Sequence, residues 1–130
     1  MFTSGTTGAP KGAMLKHSAV VRGYNDWADI IGLQAKDRYL IVNPFFHSFG
    51  LNAGILASLM KGACMLPHPI FDVQQVMERV PQDKITMLPG PPAIYQTILN
   101  HPDLETFDMT TLRLAVTGAA AIPVEMIIQM

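Results

Sequence analysis

Ten consecutive residues near the amino end, Thr3-Ser4-Gly5-Thr6-Thr7-Gly8-Ala9-Pro10-Lys11-Gly12, hold the densest chemistry in the 130-residue sequence. Gly5, Gly8 and Gly12 let the backbone turn its N–H groups inward and approach an anion closely. Thr3, Ser4, Thr6 and Thr7 supply four hydroxyls in five positions. These are donors for phosphate oxygens or, at Thr6 and Thr7, ligands for Mg²⁺. Lys11 adds a mobile positive charge. The set suits a polyphosphate. It is not a Walker A loop, which needs Gly, four residues, then Gly-Lys-Ser/Thr; here Pro10 precedes Lys11 and Gly12 follows it.

Three further segments carry candidate site residues. In Asn43-Pro44-Phe45-Phe46-His47-Ser48-Phe49-Gly50, His47 alone would read as a structural histidine. At a strand-to-helix turn, in the same chain as a polyphosphate loop, it reads as part of a site. Phe46 and Phe49 are candidate pocket walls or core. In the following helix Gly50, Ala53, Gly54 and Ala57 form a face of small side chains. Such a face permits close packing, the reading the residues alone favour, or room for a bulky ligand. Pro89-Gly90-Pro91-Pro92 and Thr117-Gly118-Ala119-Ala120-Ala121-Ile122-Pro123 are the remaining turns.

The elements that position these loops alternate. Val20, Val21, Tyr24, Trp27, Ala28 and Ile31 make a helical stripe, with Ser18 as N-cap and Gly32 as stop. Arg38–Val42, Ala63–Leu66, Lys84–Leu88 and Leu112–Val116 are β-prone runs. Between them lie helices over Phe49–Met60, after an Asp72 N-cap, from Pro92 and after Pro123. Short apolar strands alternating with helices predict an α/β fold, a doubly wound parallel sheet covered on both faces. In such sheets ligands collect at the carboxyl ends of the strands, where the four loops fall.

Composition narrows the partner. Apolar residues are 49% and charged residues 15%, so the chain has the material for a core. A net charge of −1 offers no footprint for nucleic acid or an anionic membrane, and points to a small molecule. No run reaches the roughly 18 to 20 apolar residues of a transmembrane helix, and the start does not read as a signal peptide. Cys64, the one cysteine, reads as a small core hydrophobe in a reducing, cytoplasmic protein. Met1 runs straight into the Gly/Thr loop, and Pro123–Met130 reads as a helix without a cap. An excerpt from a longer chain is expected.

The Thr3–Gly12 run matches, at all ten positions, the signature phosphate loop of the adenylate-forming superfamily: acyl-CoA synthetases, luciferases and peptide-synthetase adenylation domains. Pro44–Gly50 resembles the family's Pro-x-Phe-His-x-x-Gly segment, and Thr117–Pro123 its Gly-Ala-Ala/Ser-Pro turn. Pro89–Pro92 resembles its Val-Pro-Pro turn. Phe45–Gly50, Pro89–Gln96 and Leu112–Ala120 together look most like actinobacterial CoA ligases acting on the indane-propanoate fragment of sterol rings. Peptide-synthetase domains place an aspartate near His47–Ser48 to pair with an ammonium; this segment has no carboxylate, which favours an acid lacking an amine.

The resemblance implies an incomplete AMP-binding domain over residues 1–130, part of the large N-terminal domain, with the small C-terminal domain absent. It implies an ATP-dependent carboxylate–CoA ligase using ATP, Mg²⁺ and coenzyme A. An acid attacks the α-phosphorus of ATP, giving an acyl-adenylate, and the CoA thiol then displaces AMP. Thr3, Ser4, Gly5, Thr6, Thr7, Gly8, Ala9, Pro10 and Lys11 would hold the nucleotide, with Thr6 and Thr7 on the metal. His47 would be catalytic, orienting the carboxylate or touching phosphate. His47, Ser48, Phe49, Gly50, Gly118, Ala119 and Ala120 would bind the acid. The family's Mg²⁺-binding glutamate, ribose-binding aspartate and catalytic lysine lie beyond these residues, so the 130 residues alone are expected to make no acyl-CoA. Rival readings are a non-catalytic nucleotide-binding homologue, a luciferase-like or aryl-acid adenylating enzyme and, least supported, an interaction domain.

Overall fold

The computed structural model describes residues 1–3, 8–118 and 120–130. Ser4–Thr7 and Ala119, five of the candidate site residues, lie outside them. The elements run β1 (Phe2–Thr3), β2 (Lys11–Gly12), α1 (His17–Ile30), β3 (Arg38–Ile41), a π-helical segment (Phe49–Leu56) continuing as α2 (Ala57–Lys61), β4 (Cys64–Pro67), α3 (Val73–Gln82), β5 (Met87–Pro89), α4 (Pro92–Leu99), a 3₁₀ turn (Leu104–Thr106), β6 (Leu114–Val116) and α5 (Val124–Gln129).

β3 to β6 form a parallel sheet in the order β4-β3-β5-β6. Alternation along β3 sends Leu40 and Val42 to one face and Tyr39 and Ile41 to the other. On the first face Leu40, Val42 and Leu88 pack against Val76, Met77 and Val80 of α3 and Ile94 and Ile98 of α4. On the second, Tyr39, Ile41 and Met87 meet Ala28 of α1 and Ala57 of α2. The expected doubly wound α/β sheet is present. No described helix is long and apolar enough to cross a membrane.

Several boundaries differ from expectation for local reasons. α1 begins two positions before Ser18's expected first turn: Lys16 is its extended N-cap and makes no side-chain capping bond. Its end is as expected. Gly32 is left-handed (φ +67°), and Gly32 N–H to Asp29 O (3.1 Å) with Leu33 N–H to Ala28 O (2.9 Å) close a Schellman turn. Asp72 does cap α3, accepting Gln75 N–H at 2.8 Å. The strand expected from Lys84 starts only at Met87, because Lys84 takes a left-handed conformation (φ +50°) to end α3, with Ile85 N–H bonding Val80 O.

Cys64 is not a core residue. It is exposed on β4, the strand that ends the described sheet, with its Sγ 3.8 Å from Arg38 Nη1. An apolar sequence neighbourhood does not bury a side chain when no strand or helix covers that position. The Gly/Thr loop is also anchored differently. Its two ends zip into an antiparallel pair, Phe2 opposite Gly12 and Thr3 opposite Lys11.

The small-residue face of the π-helical segment proves to be a packing surface. Ala53 and Ala57 are fully buried, and a Cβ on Gly54 would stand 3.0 Å from Ile41 Cγ2. At Gly50 a Cβ would lie 2.3 Å from Pro44 O and 2.5 Å from Asn43 O, so only glycine fits there.

Candidate functional site

The carboxyl ends of β3, β5 and β6 are tied together before any ligand is considered. Asn43, just after β3, donates its Nδ2 hydrogen to Pro89 O at the end of β5 (3.0 Å). Tyr95, on α4, lies buried with its hydroxyl against the carbonyls of Leu88 and Val116, the latter at 3.1 Å. Burial pushes this phenol well above its ordinary range, so it stays protonated and donating. Gly90 N–H adds a bond to Val116 O (2.9 Å). A Cβ on Gly90 would stand 3.0 Å from Ile94 Cδ1, so the turn sits tightly on α4. These bonds fix three strand exits relative to one another, a rigid frame for the loops they carry.

Over this frame opens a cleft of about 560 Å³, within the size range of small-molecule sites. Phe46, His47, Ser48, Phe49, Pro91 and Gly118 from the expected loops line it, together with Trp27, Asn43, Pro44, Val116 and Thr117. Four sequence-derived candidates, His47, Ser48, Phe49 and Gly118, are therefore brought together from loops far apart in the chain. Gly50 lies behind the lining, against the Asn43 and Pro44 carbonyls, and Ala120 is exposed outside it. Gly8, Ala9, Pro10 and Lys11 are exposed on the hairpin.

His47 is held by its own backbone. Its N–H bonds Pro44 O (3.0 Å), its carbonyl accepts Leu51 N–H (2.9 Å), and its Nδ1 accepts Phe49 N–H at 3.1 Å. With Nδ1 accepting, the ring hydrogen sits on Nε2. That leaves an exposed imidazole with one N–H donor directed by the turn. A donor of this kind suits a carboxylate or phosphate oxygen.

Five lining residues, Trp27, Asn43, Pro44, Val116 and Thr117, were not named as site residues from the sequence. Trp27 belonged to the apolar stripe of α1 and read as core; it is half-buried and meets Phe49 edge-on, with centroids 6.2 Å apart at 80°. Asn43 was visible only as part of a turn. Thr117 preceded the glycine that drew attention, and its Oγ1 is buried without a hydrogen-bond partner. Asn43 and Thr117 stood in loops marked from the sequence without a signal of their own, whereas Trp27 is exposed as a lining residue only by the meeting of α1 with the strand exits. A smaller recess of about 220 Å³ shares Asn43, Pro44 and Phe46 with the cleft and extends to His68. Burial, then the adjacent Arg79 charge, holds the His68 imidazole below the usual histidine range.

Among the described residues no group of three or more His, Cys, Asp or Glu side chains could hold a metal ion.

A parallel α/β sheet thus carries a mostly apolar cleft at the carboxyl ends of its strands, with His47 in the lining. The chain belongs to the AMP-binding enzyme family, whose model matches residues 1–130. Over 130 residues it is 48% identical to a 3-[(3aS,4S,7aS)-7a-methyl-1,5-dioxo-octahydro-1H-inden-4-yl]propanoyl:CoA ligase of Rhodococcus jostii (strain RHA1), covering all of this chain and 25% of that protein. It is 47% identical to the ligase of the same name from Mycobacterium tuberculosis, over all of this chain and 26% of the relative. Among solved structures, the inhibitor-bound N-terminal domain of FACL13 from Mycobacterium tuberculosis superposes with a TM-score of 0.91 at 31% identity, covering 99% of this chain and 32% of that one. ATP-bound MatB from Rhodopseudomonas palustris gives 0.88 at 28% identity, over 99% and 25%. The chain spans about a quarter of the length of the curated relatives it matches.

Proposed function

We propose that this chain is the phosphate-gripping and acid-binding portion of an ATP-dependent carboxylate–CoA ligase, and that residues 1–130 form part of a larger adenylation domain. One observation carries the reading: in a chain of the AMP-binding family, His47 stands in the lining of a cleft walled by Phe46, Phe49 and Pro91. A carboxylate donates electrons to the α-phosphorus of Mg·ATP, pyrophosphate leaves, and the resulting mixed anhydride is opened by the thiol of coenzyme A with release of AMP. ATP would supply the leaving group, and a bound Mg²⁺ would supply charge neutralisation.

The chain's own residues position. Thr3, Ser4, Gly5, Thr6, Thr7, Gly8, Ala9, Pro10 and Lys11 would hold the β- and γ-phosphates of the nucleotide, and the Thr6 and Thr7 hydroxyls would serve as ligands for its Mg²⁺. The Nε2 hydrogen of His47 orients the acid's carboxylate. Ser48, Phe49 and Gly118 shape the acid site from the cleft lining, and Gly50, behind it, allows the turn that presents His47. The names of the two relatives described support a propanoic acid borne on a fused bicyclic ring, hence a role in steroid-ring breakdown.

The test is acid-dependent ATP–pyrophosphate exchange and thioester formation by the complete natural polypeptide that contains this sequence. His47→Ala is expected to lower exchange on the order of 10²-fold, the usual cost of losing one directed donor, with Mg·ATP affinity retained. Lys11→Ala combined with Thr7→Ala is expected to weaken Mg·ATP itself. Unchanged thioester synthesis in both variants, or no Mg·ATP binding by the parent, overturns the proposal. Robust turnover by the purified 130-residue chain would overturn the expectation that it is incomplete.

A further inference from the structure

We propose that Trp27, on a helix outside the signature loops, sets the choice of acid by selecting rigid ring systems over flexible straight chains. The inference rests on the ligase reading and assigns the body of its acid. The cleft's apolar walls are Trp27, Phe46, Phe49, Pro44 and Pro91, all flat or cyclic side chains with few rotamers. Val116 is the one aliphatic residue among the described lining, and no Leu, Ile or Met joins it. Flat, stiff walls cannot collapse around a thin alkyl chain, so a straight-chain acid would leave part of the 560 Å³ unfilled and forfeit dispersion contacts. A preformed ring also loses less conformational freedom on binding.

Trp27 decides the shape of this space. Its indole meets Phe49 at 80°, making a corner of two nearly perpendicular planes. Phe49 follows His47 by two residues and its N–H holds the His47 ring, so the corner and the carboxylate donor are parts of one rigid unit. An acid whose carboxylate meets His47 therefore presents its body to the Trp27–Phe49 corner. Trp27 is also half-buried, so it offers surface to a ligand that a core tryptophan would not.

The experiment uses the complete natural polypeptide and two acids of equal carbon number, a fused-bicyclic propanoic acid and a straight-chain fatty acid. The quantity read is the ratio of their kcat/KM values for thioester formation in wild type, Trp27→Leu and Trp27→Phe, with calorimetric binding of each acid as a second readout. Trp27→Leu is expected to lower the bicyclic-over-linear ratio on the order of 10- to 100-fold, and Trp27→Phe to recover much of it. A ratio unchanged in Trp27→Leu, with both acids falling together, identifies Trp27 as a structural prop and overturns the inference. If wild type forms no thioester from any acid, the ligase reading fails. The calorimetric ratio then decides the Trp27 inference alone: a fall in Trp27→Leu upholds it, and no change overturns it.

Discussion

The two ends of the parallel sheet are built to opposite specifications. At the amino ends of β3, β5 and β6 a buried carboxylate is the hub of a hydrogen-bonded cluster. Asp37, 1% exposed, accepts from Gln34 N–H (2.8 Å), Thr86 Oγ1 (2.8 Å), Arg113 Nε (3.2 Å) and Arg113 Nη2 (2.6 Å). Thr86 Oγ1 in turn accepts Arg38 N–H at 2.9 Å, and Arg113 Nη2 reaches Gly32 O at 2.9 Å. At the carboxyl ends the bonds among Asn43, Gly90 and Tyr95 fix the frame, but the cleft above it is left open. His47 keeps an uncommitted donor there, and Phe46 is 94% exposed. One end saturates its hydrogen bonds to hold the strands in register. The other leaves apolar walls and donors available to a ligand. The division shows why ligands of such sheets gather at one edge: only that edge carries loops free of the task of closing the structure.

The comparison breaks first at the closed end. Removing one partner of a buried ion pair leaves an uncompensated charge, which costs 3–5 kcal/mol; Arg113 is partly exposed, so about 3 kcal/mol is expected for Arg113→Leu. Urea unfolding should show the loss, with acid binding at the cleft retained in the folded fraction. The same cluster predicts a pH dependence. Burial alone would raise the Asp37 carboxyl, but the hydrogen bonds of Arg113, Thr86 and Gln34 N–H and the Arg113 charge outweigh it and hold the carboxyl below its usual value. Because the folded value lies below the unfolded one of about 3.9, the contribution is present above that pH and is lost as the pH falls through the folded value. An Asp37→Asn variant should be less stable at neutral pH and should lose this part of the acid transition in pH-dependent unfolding.

At the open end the expected effects are smaller on stability and larger on chemistry. Gly50→Ala forces the Asn43–Pro44 turn away from the helix, at a cost of about 2 kcal/mol by thermal unfolding. Because that turn carries His47, acid-dependent pyrophosphate exchange should fall further than the stability loss explains. The smallest effect is expected outside both regions. Asp72→Ala removes the α3 cap and should cost about 1 kcal/mol without changing selectivity between acids. Equal damage to activity from Arg113→Leu and Gly50→Ala, measured where both are folded, would erase the contrast between the two ends.

Legibility in the sequence followed the range of the forces involved. The Asp72 cap, the Gly32 helix stop and the Pro92 helix start are written within a few residues, because backbone conformation and capping are local. The alternation of strands and helices followed from hydrophobic period, as did the doubly wound sheet. Boundaries slipped where a neighbouring element took residues for its own closure, as at Lys84, and at Cys64, where strand order rather than strand character decided exposure.

Residue type and spacing alone determined that this chain carries a histidine-bearing turn and a parallel α/β sheet, since these depend on contacts of short sequence range. Tertiary structure alone decided that Trp27, Asn43 and Thr117 join His47 around one cleft, and that Asp37 and Arg113, 76 residues apart, close the opposite end. The physical reason is that a cleft is a gap between elements. Its shape depends on strand order and on crossings between distant segments, which no window of sequence contains.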